Sequence, residues 1–171
     1  DALDLIYVER KARFTFVPAA SHAHAEDRFV GGGGDPYATI GAALGDAVDG
    51  DVVVVRAGTY AESGLTTRAP GVTIRADAAA EVIVTDSGAR VFDIQHPRTT
   101  LEGLIMDAQF GGRVIRIDDG ADEATLRNVE VRNAGNHCID LRVVNDVLIE
   151  GSLIHHCLQS TSPGCAAEAC R

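Results

Sequence analysis

Short runs in which apolar and polar residues alternate recur along the middle of the chain. The run Val91-Phe-Asp-Ile-Gln95 returns as Val114-Ile-Arg-Ile-Asp118 and again as Cys138-Ile-Asp-Leu-Arg142, at spacings of 23 and 24 residues. Alternation with a period of two predicts a β-strand that is buried on one side. The three runs therefore predict three equivalent strands.

A second series of runs lies between members of the first. Thr100-Leu-Glu-Gly-Leu-Ile-Met-Asp107 returns as Thr125-Leu-Arg-Asn-Val-Glu-Val-Arg132 and as Leu148-Ile-Glu-Gly-Ser-Leu-Ile-His155, at spacings of 25 and 23 residues. Two short strands per repeat, with a period in the low twenties, are typical of a solenoid. The sequence predicts an all-β parallel β-helix, right-handed because crossovers between parallel strands almost always are.

The polar positions of the runs form columns if the apolar positions point inward. The predicted outward columns are Asp93, Arg116, Asp140; Gln95, Asp118, Arg142; Glu102, Arg127, Glu150; and Asp107, Arg132, His155. Successive coils lie about 4.8 Å apart, so like charges in register would repel. None of these columns places like charges next to each other, which indicates stacking ladders.

The chain before the repeats divides into two parts. Residues 1–34 are predicted to form two short strands, at 5–8 and 13–17, and a flexible loop at 19–34. Asp35 and Pro36 supply an N-cap and a first helical residue. Residues 36–48 are predicted to form an amphipathic helix that covers the first coil of a β-helix domain spanning residues 35–158.

Four cysteines, Cys138, Cys157, Cys165 and Cys170, occur in the last third of the chain. An even number predicts disulfides and an oxidising compartment, so we expect a secreted or cell-envelope protein. The sequence leaves the connectivity of the four cysteines open, and a bridge within residues 157–170 would fix the loop 159–171. Metal binding is the alternative, because His-Cys clusters occur at residues 137–138 and 155–157, but the spacing fits no zinc-ribbon pattern.

The alternating pattern stops after residue 158. A solenoid end needs a cover for its apolar side chains and strand edges. The cover is expected to be the C-terminal loop under a disulfide, another chain that continues the stack, or further coils beyond Arg171. We expect the last of these, and hence a partner or segment that continues the coil.

Composition limits the function. The 171 residues are sufficient for one domain, and the formal net charge is −10. This charge argues against a nucleic acid or an anionic membrane as partner, since phosphate neutralisation needs a basic surface. No apolar run reaches membrane-spanning length.

The start of the β-helix domain carries a recognisable motif. Tyr37-Ala-Thr-Ile-Gly-Ala-Ala-Leu44, followed by Asp49-Gly-Asp-Val-Val-Val-Val-Arg-Ala-Gly-Thr-Tyr-Ala-Glu62, resembles the N-terminal capping motif of the pectate-lyase-like superfamily. The resemblance covers roughly residues 36–158. It implies a right-handed parallel β-helix and a glycan-related role, in which an acidic glycan lies along one sheet, without identifying the reaction.

A lyase of this kind neutralises a uronate carboxylate with Ca²⁺ or Arg, removes the C5 proton and assists the leaving oxygen. The candidate catalytic residues are Arg132, His137 and His155, which combine a fixed cation with groups that titrate near neutral pH. The candidate substrate-binding residues are Arg116, Asp140, Arg142 and Asp107.

Two functions are therefore expected as alternatives. The first is binding, and in the full-length protein β-elimination, of an acidic polysaccharide. The second is a non-catalytic structural or adhesive scaffold whose ladders only stabilise the stack. A glycosidase based on Asp93 and Asp140 is disfavoured, because Arg116 between them would keep both ionised and remove the general acid.

Overall fold

The structure is a computed structural model that describes residues 25–78 and 80–157. The strands predicted at residues 5–8 and 13–17 and the loop predicted at residues 159–171 lie outside the described residues.

The described residues form one short helix and fifteen strands, all paired in parallel. In chain order they are β1 (Asp27–Val30), α1 (Ile40–Asp46), β2 (Val52–Val55), β3 (Gly58–Ala61), β4 (Leu65–Thr66), β5 (Thr73–Ala76), β6 (Val82–Thr85), β7 (Arg90–Ile94), β8 (Thr100–Glu102), β9 (Ile105–Asp107), β10 (Arg113–Ile117), β11 (Thr125–Arg127), β12 (Glu130–Arg132), β13 (Ile139–Leu141), β14 (Leu148–Glu150) and β15 (Leu153–His155).

These strands build three sheets along a solenoid. Sheet A has the order β1-β2-β5-β8-β11-β14, sheet B the order β3-β6-β9-β12-β15, and sheet C the order β4-β7-β10-β13. Each coil passes through A, then B, then C. Four coils have a strand in all three sheets, and a fifth ends with β14 and β15. The predicted parallel β-solenoid is confirmed.

Each coil contains three strands, whereas the sequence pattern predicts two. The second series of runs is divided by a residue with positive φ: Gly103 at 69°, Asn128 at 51° and Gly151 at 59°. Glycine, and asparagine among the other residues, adopt this left-handed conformation most readily. The chain turns at these positions, so the first half of each run lies in sheet A and the second half in sheet B.

The predicted register of the repeats is confirmed. Arg116 lies opposite Asp93 on one neighbouring strand and Asp140 on the other. In sheet A, Arg127 has Glu102 and Glu150 as its neighbours. In sheet B, Arg132 lies between Asp107 and His155.

The core consists of aliphatic columns that run along the solenoid. Ile74, Leu101 and Leu126 stack beneath sheet A, and all three are completely buried. Ile94 and Ile117 are equally buried beneath sheet C, but Leu141, next in their column, is half exposed. The predicted column is therefore present, and it ends at the last coil.

The helix α1 is shorter than predicted and begins later. Its N-cap is Thr39 rather than Asp35, and the Thr39 hydroxyl accepts a hydrogen bond from the Ala42 backbone N–H at 3.2 Å. The Glu62 carboxylate accepts the backbone N–H groups of Ile40 and Gly41, each at 2.8 Å. Asp35 instead pairs with Arg56.

Strand β1 occupies part of the segment that was predicted to be a loop. Residues 27–30 pair with β2 through the full length of both strands. Arg28 Nε lies 2.6 Å from the carboxylate of Asp51, which is completely buried. That carboxylate also accepts the backbone N–H groups of Glu26 and Val48, each at 2.9 Å. Because four glycines follow at residues 31–34, the sequence predicted a loop here. The ion pair between Arg28 and Asp51 instead fixes β1 against β2.

Cys157 forms a disulfide with Cys138, 19 residues earlier in the sequence. Of the pairings that the sequence leaves open for Cys157, the structure thus has the one with Cys138. Both cysteines lie at the corner between sheets B and C, where successive coils stack, so residues that are distant in sequence become neighbours. The bridge fastens the end of β15 to the start of β13.

Candidate functional site

The outward side of sheet C presents four arginines, Arg90, Arg113, Arg116 and Arg142, which we call the arginine face. The side chains of Arg90 and Arg113 are each 29% exposed, that of Arg116 is 26% exposed and that of Arg142 is 50% exposed. Three aspartates, Asp93, Asp118 and Asp140, lie among them. The face thus carries an excess of positive charge on a chain whose net charge is −10.

Arg90 and Arg113 are direct neighbours in the sheet. Their Cα atoms are partners in the pairing of β7 with β10, so no carboxylate lies between them in this column. Two like charges on adjacent strands, about 4.8 Å apart, destabilise a sheet. An anion placed over both guanidinium groups would remove that repulsion.

The aspartates of the arginine face neutralise it only in part. Asp93 Oδ2 lies 3.5 Å from Arg90 Nη2, beyond ordinary hydrogen-bond distance. Arg116 pairs with Asp118, which directly follows β10, rather than with Asp93 or Asp140. The in-register ladder predicted for Asp93, Arg116 and Asp140 therefore exists as an alignment of residues but not as hydrogen-bonded pairs.

Among the carboxylates of the arginine face, Asp140 has the closest contacts with arginine. It accepts hydrogen bonds from Arg142 Nε at 3.0 Å and Nη2 at 2.9 Å, and Arg113 Nε lies 3.0 Å away. The hydrogen bonds from Arg142 lower the pKa of Asp140, and the charges of Arg142 and Arg113 add to this effect. Asp140 thus stays ionised and cannot act as a general acid near neutral pH.

Three buried polar atoms of this face have no hydrogen-bond partner within the described residues: Asp93 Oδ1, Arg113 Nε and Arg116 Nε. Buried polar atoms normally have a partner. Two of the three are guanidinium donors three residues apart on β10. Arg113 Nε makes no hydrogen bond although it lies 3.0 Å from Asp140 Oδ2, so these buried atoms show that the charges of the face are incompletely paired.

A second charged cluster lies on the outward side of sheet B. Arg132 Nε donates to Asp107 Oδ2 at 2.9 Å, and Arg132 Nη1 donates to Glu130 Oε1 at 2.8 Å. His155 Nε2 lies 3.0 Å from the same Glu130 oxygen. Arg132 and His155, predicted together, are thus joined through Glu130, which the sequence analysis did not select.

The carboxylates of this cluster are held in their ionised form. Burial by itself would raise the pKa of Asp107, but hydrogen bonds from the Gln109 backbone, Asn133 and Arg132 outweigh it and lower the pKa. The pKa of Glu130 is lowered by its hydrogen bonds with Arg132 and with His155. Since both carboxylates satisfy Arg132, this arginine has little capacity left for a substrate.

His137 lies apart from the other two candidate catalytic residues. It comes two residues before Ile139, which pairs with Ile115, and Val114 donates its N–H to the His137 carbonyl at 3.2 Å. Its exposed side chain therefore continues the column of Arg90 and Arg113 on sheet C. The structure separates the predicted trio into Arg132 with His155 on sheet B and His137 on sheet C.

The candidate substrate-binding residues divide in the same way. Arg116, Asp140 and Arg142 lie together on sheet C, and Asp107 lies with Arg132 on sheet B. Arg90 and Arg113 were missed because the repeated runs were begun at Val91 and Val114. Extending each run by one residue toward the N-terminus reveals the column Arg90, Arg113, His137 in the sequence.

Calcium does not fit the carboxylates described here. Ca²⁺ takes six to eight oxygen ligands, several of them from carboxylates. Within residues 25–78 and 80–157, no group of three or more His, Cys, Asp and Glu side chains could hold a metal ion. Asp107 and Asp140 are moreover each engaged by arginine. The cationic groups that this surface presents are the arginine side chains.

Sheet A provides an internal contrast to the arginine face. Its outward column reads Arg75, Glu102, Arg127, Glu150, with opposite charges on every pair of adjacent strands. The side chains of Arg127 and Glu150 form an ion pair. Alternation of this kind satisfies the charges within the sheet.

No family model, curated protein or solved structure matches the chain. Among the described residues, no helix has the length and apolar character required to cross a lipid bilayer. The interpretation of the surface therefore depends on its own geometry.

Proposed function

We propose that this protein is a pectate-lyase-like, right-handed β-helix that binds an acidic polysaccharide along the arginine face of sheet C. On this proposal α1 covers the first coil, and the protein works outside the cytoplasm or in the cell envelope. The Cys138–Cys157 disulfide supports the location, because disulfides persist mainly in oxidising compartments.

The observation that carries the proposal is the in-register stack of Arg90 and Arg113. Their repulsion has no stabilising role in the sheet, whereas guanidinium groups bind carboxylates and sulfates through paired, charge-assisted hydrogen bonds. A polymer with regularly spaced anions can contact Arg90 on one coil and Arg113 and Arg116 on the next at the same time. A small single anion would engage only part of this surface.

The proposed role of the protein in this interaction is binding. The second cluster, around Glu130, offers a carboxylate-paired imidazole at His155 that can accept a proton. It lies on sheet B, so a polymer following the arginine face along the solenoid does not reach it. Catalysis by β-elimination would be detected by the absorbance test described below.

The test compares binding of polygalacturonate, alginate and chondroitin sulfate with binding of uncharged dextran, by calorimetry at low and moderate salt. The double variant Arg90→Gln/Arg113→Gln is expected to weaken binding of the anionic polymers by about tenfold or more, since hydrogen bonds to charged groups contribute about 1.5–3 kcal/mol. Arg127→Gln on sheet A is the matched control and should leave binding unchanged. Equal affinity of the double variant and the parent protein would refute the proposal.

The same samples test for catalysis. Unsaturated uronate products absorb in the ultraviolet, so a rise in absorbance during incubation identifies lyase activity. A base at His155 would require that the polymer also bind on sheet B, and His155→Gln should then abolish the rise. Binding without products supports the binding role alone.

The second candidate function is a structural or adhesive scaffold. The alternating column of sheet A favours it, because those charges stabilise the stack and need no ligand. This function predicts equal affinity for charged and uncharged polymers, or no affinity for either. The calorimetric comparison therefore separates the two candidates.

A further inference from the structure

Phe110 is an exposed aromatic side chain close to the arginine face. It lies at the corner where the chain passes from sheet B to sheet C, between β9 and β10, and it is 50% exposed. Arg113, the first residue of β10, follows three residues later. Single apolar side chains are common on protein surfaces, but the backbone and the surroundings of Phe110 set it apart.

The backbone of Phe110 is in the left-handed conformation, with φ at 60°. Bulky side chains rarely adopt this conformation, whereas glycine and asparagine adopt it readily. Backbone hydrogen bonds fix the turn: Phe110 N–H donates to the Asn133 carbonyl and Gly111 N–H to the Ala108 carbonyl, each at 2.7 Å. Asparagine would therefore fit this turn better than phenylalanine, and strain of this kind is typical of functional positions.

The chain places no side chain between Phe110 and Arg113, because positions 111 and 112 are both glycine. The corners of adjacent coils approach each other closely here. A Cβ atom on Gly111 would lie 2.2 Å from the carbonyl oxygen of Ser87 on the neighbouring coil. Close stacking of the corners thus requires glycine, and it leaves bare backbone between the aromatic ring and the arginine face.

The same corner of the solenoid also carries polar side chains. Gln109, directly before Phe110, lines a cleft together with Ser63 and Ser87. A second cleft shares Ser63 and Ser87 and extends to Arg90. Hydroxyl and amide groups, an aromatic ring and the arginine pair therefore follow one another along this corner.

We propose that a sugar ring of the bound polymer packs on Phe110 while anionic groups of the same polymer contact Arg90 and Arg113. One side of a sugar ring presents C–H groups, which an aromatic ring buries favourably. The sugar hydroxyls need polar partners, and Gln109 supplies one. This inference rests on the function proposed above, and it limits the ligand to polyanions that are carbohydrates.

The test measures the affinity of the full chain for two polyanions, polygalacturonate and inorganic polyphosphate, by calorimetry. Phe110→Asn is expected to weaken polygalacturonate binding about two- to tenfold, the range of aromatic contacts. It should leave polyphosphate binding unchanged, because polyphosphate has no C–H groups to pack on the ring. Phe110→Tyr keeps the ring and should bind both polymers like the parent protein, whereas Arg90→Gln/Arg113→Gln should weaken binding of both.

Thermal denaturation separates a binding role of Phe110 from a structural one. Phe110→Asn should raise the melting temperature, because asparagine relieves the strained backbone. The matched control is Val143→Asn, since Val143 is 83% exposed, has φ at 48° and lies beyond the C-terminal ends of the strands of sheet C. This control should also raise the melting temperature, but it should leave polygalacturonate affinity unchanged.

Four results would overturn the inference. Unchanged polygalacturonate affinity in Phe110→Asn, while Arg90→Gln/Arg113→Gln weakens it, would leave the arginine face as the binding surface without Phe110. An equal loss of polyphosphate affinity would assign the effect to charge. A lower melting temperature would show that the ring packs within the protein instead. If the parent protein binds neither polymer, the proposed function fails, and this inference fails with it.

Discussion

Sheets A and C both carry arginine and carboxylate side chains in register on adjacent coils, but in a different order. In sheet A, Arg75, Glu102, Arg127 and Glu150 alternate in sign along the column. Sheet C also has one alternating column, Asp93, Arg116 and Asp140, but in a second column Arg90 and Arg113 are adjacent with no acid between them. Since both sheets stack with the same spacing, the difference lies in the side chains alone.

The order of signs along a column separates charges that stabilise a solenoid from charges available to a ligand. An alternating column is electrostatically satisfied within the protein. A column with two neighbouring arginines stores repulsion that a bound anion would relieve. The following predictions test this distinction, beginning with the core that both sheets share.

The largest effect is expected for Ile117→Asp. Ile117 is completely buried beneath sheet C, between Ile94 and Leu141. The change buries an unpaired carboxylate, so we expect a loss of more than about 4 kcal/mol in the free energy of unfolding, measured by urea denaturation. The control Ile83→Asp, on the partly exposed outward side of sheet B, should retain the fold; equal losses would mean that the assignment of inward and outward sides is wrong.

Arg116→Glu is expected to have the next largest effect. It places three carboxylates in one column of sheet C, at positions 93, 116 and 140. The free energy of unfolding should fall by about 1 kcal/mol or more, and the loss should shrink at high salt. Arg116→Gln, which removes the pairing with Asp118 but adds no negative charge, should lose less. A loss that salt does not change would contradict charge repulsion as its cause.

The acid stability of the protein should depend on Asp107. Its folded-state pKa is lowered, so its hydrogen bonds contribute stability above the unfolded pKa of about 3.9. That contribution is lost as the pH falls through the folded pKa. Asp107→Asn should lower the free energy of unfolding at pH 7 and reduce its further decrease between about pH 5 and pH 2. If the free energy of unfolding of Asp107→Asn falls as steeply with decreasing pH as that of the parent protein, other carboxylates cause the acid dependence.

The smallest effect on stability, and the sharpest test of the comparison, is expected for Arg113→Gln. Removing one of two stacked arginines relieves repulsion but weakens the contact with Asp140, so the free energy of unfolding should change by no more than about 0.5 kcal/mol. Arg127→Gln should destabilise the protein more, because it leaves Glu102 and Glu150 without the cation between them. If Arg113→Gln lowers the melting temperature more than Arg127→Gln does, the proposed difference between the two sheets is wrong.

Much of this architecture can be predicted from the sequence, for a local reason. Each strand carries its own alternating pattern, and the repeat period fixes which residues are neighbours on adjacent coils. The parallel β-solenoid and the register of Asp93, Arg116 and Asp140 follow from these two features. The third strand per coil was missed because Gly103 and Asn128 interrupt the runs through backbone conformation rather than through polarity.

The sequence by itself determined which residues occupy the same column, because side-chain direction alternates along a strand and the period aligns successive coils. The tertiary structure alone decided which charged groups become partners. Arg132 reaches Glu130 as well as Asp107, Arg116 turns to Asp118, and His137 lies on a different sheet from His155. Long charged side chains can reach several partners, and the choice depends on the corners that set the three sheets at angles to one another.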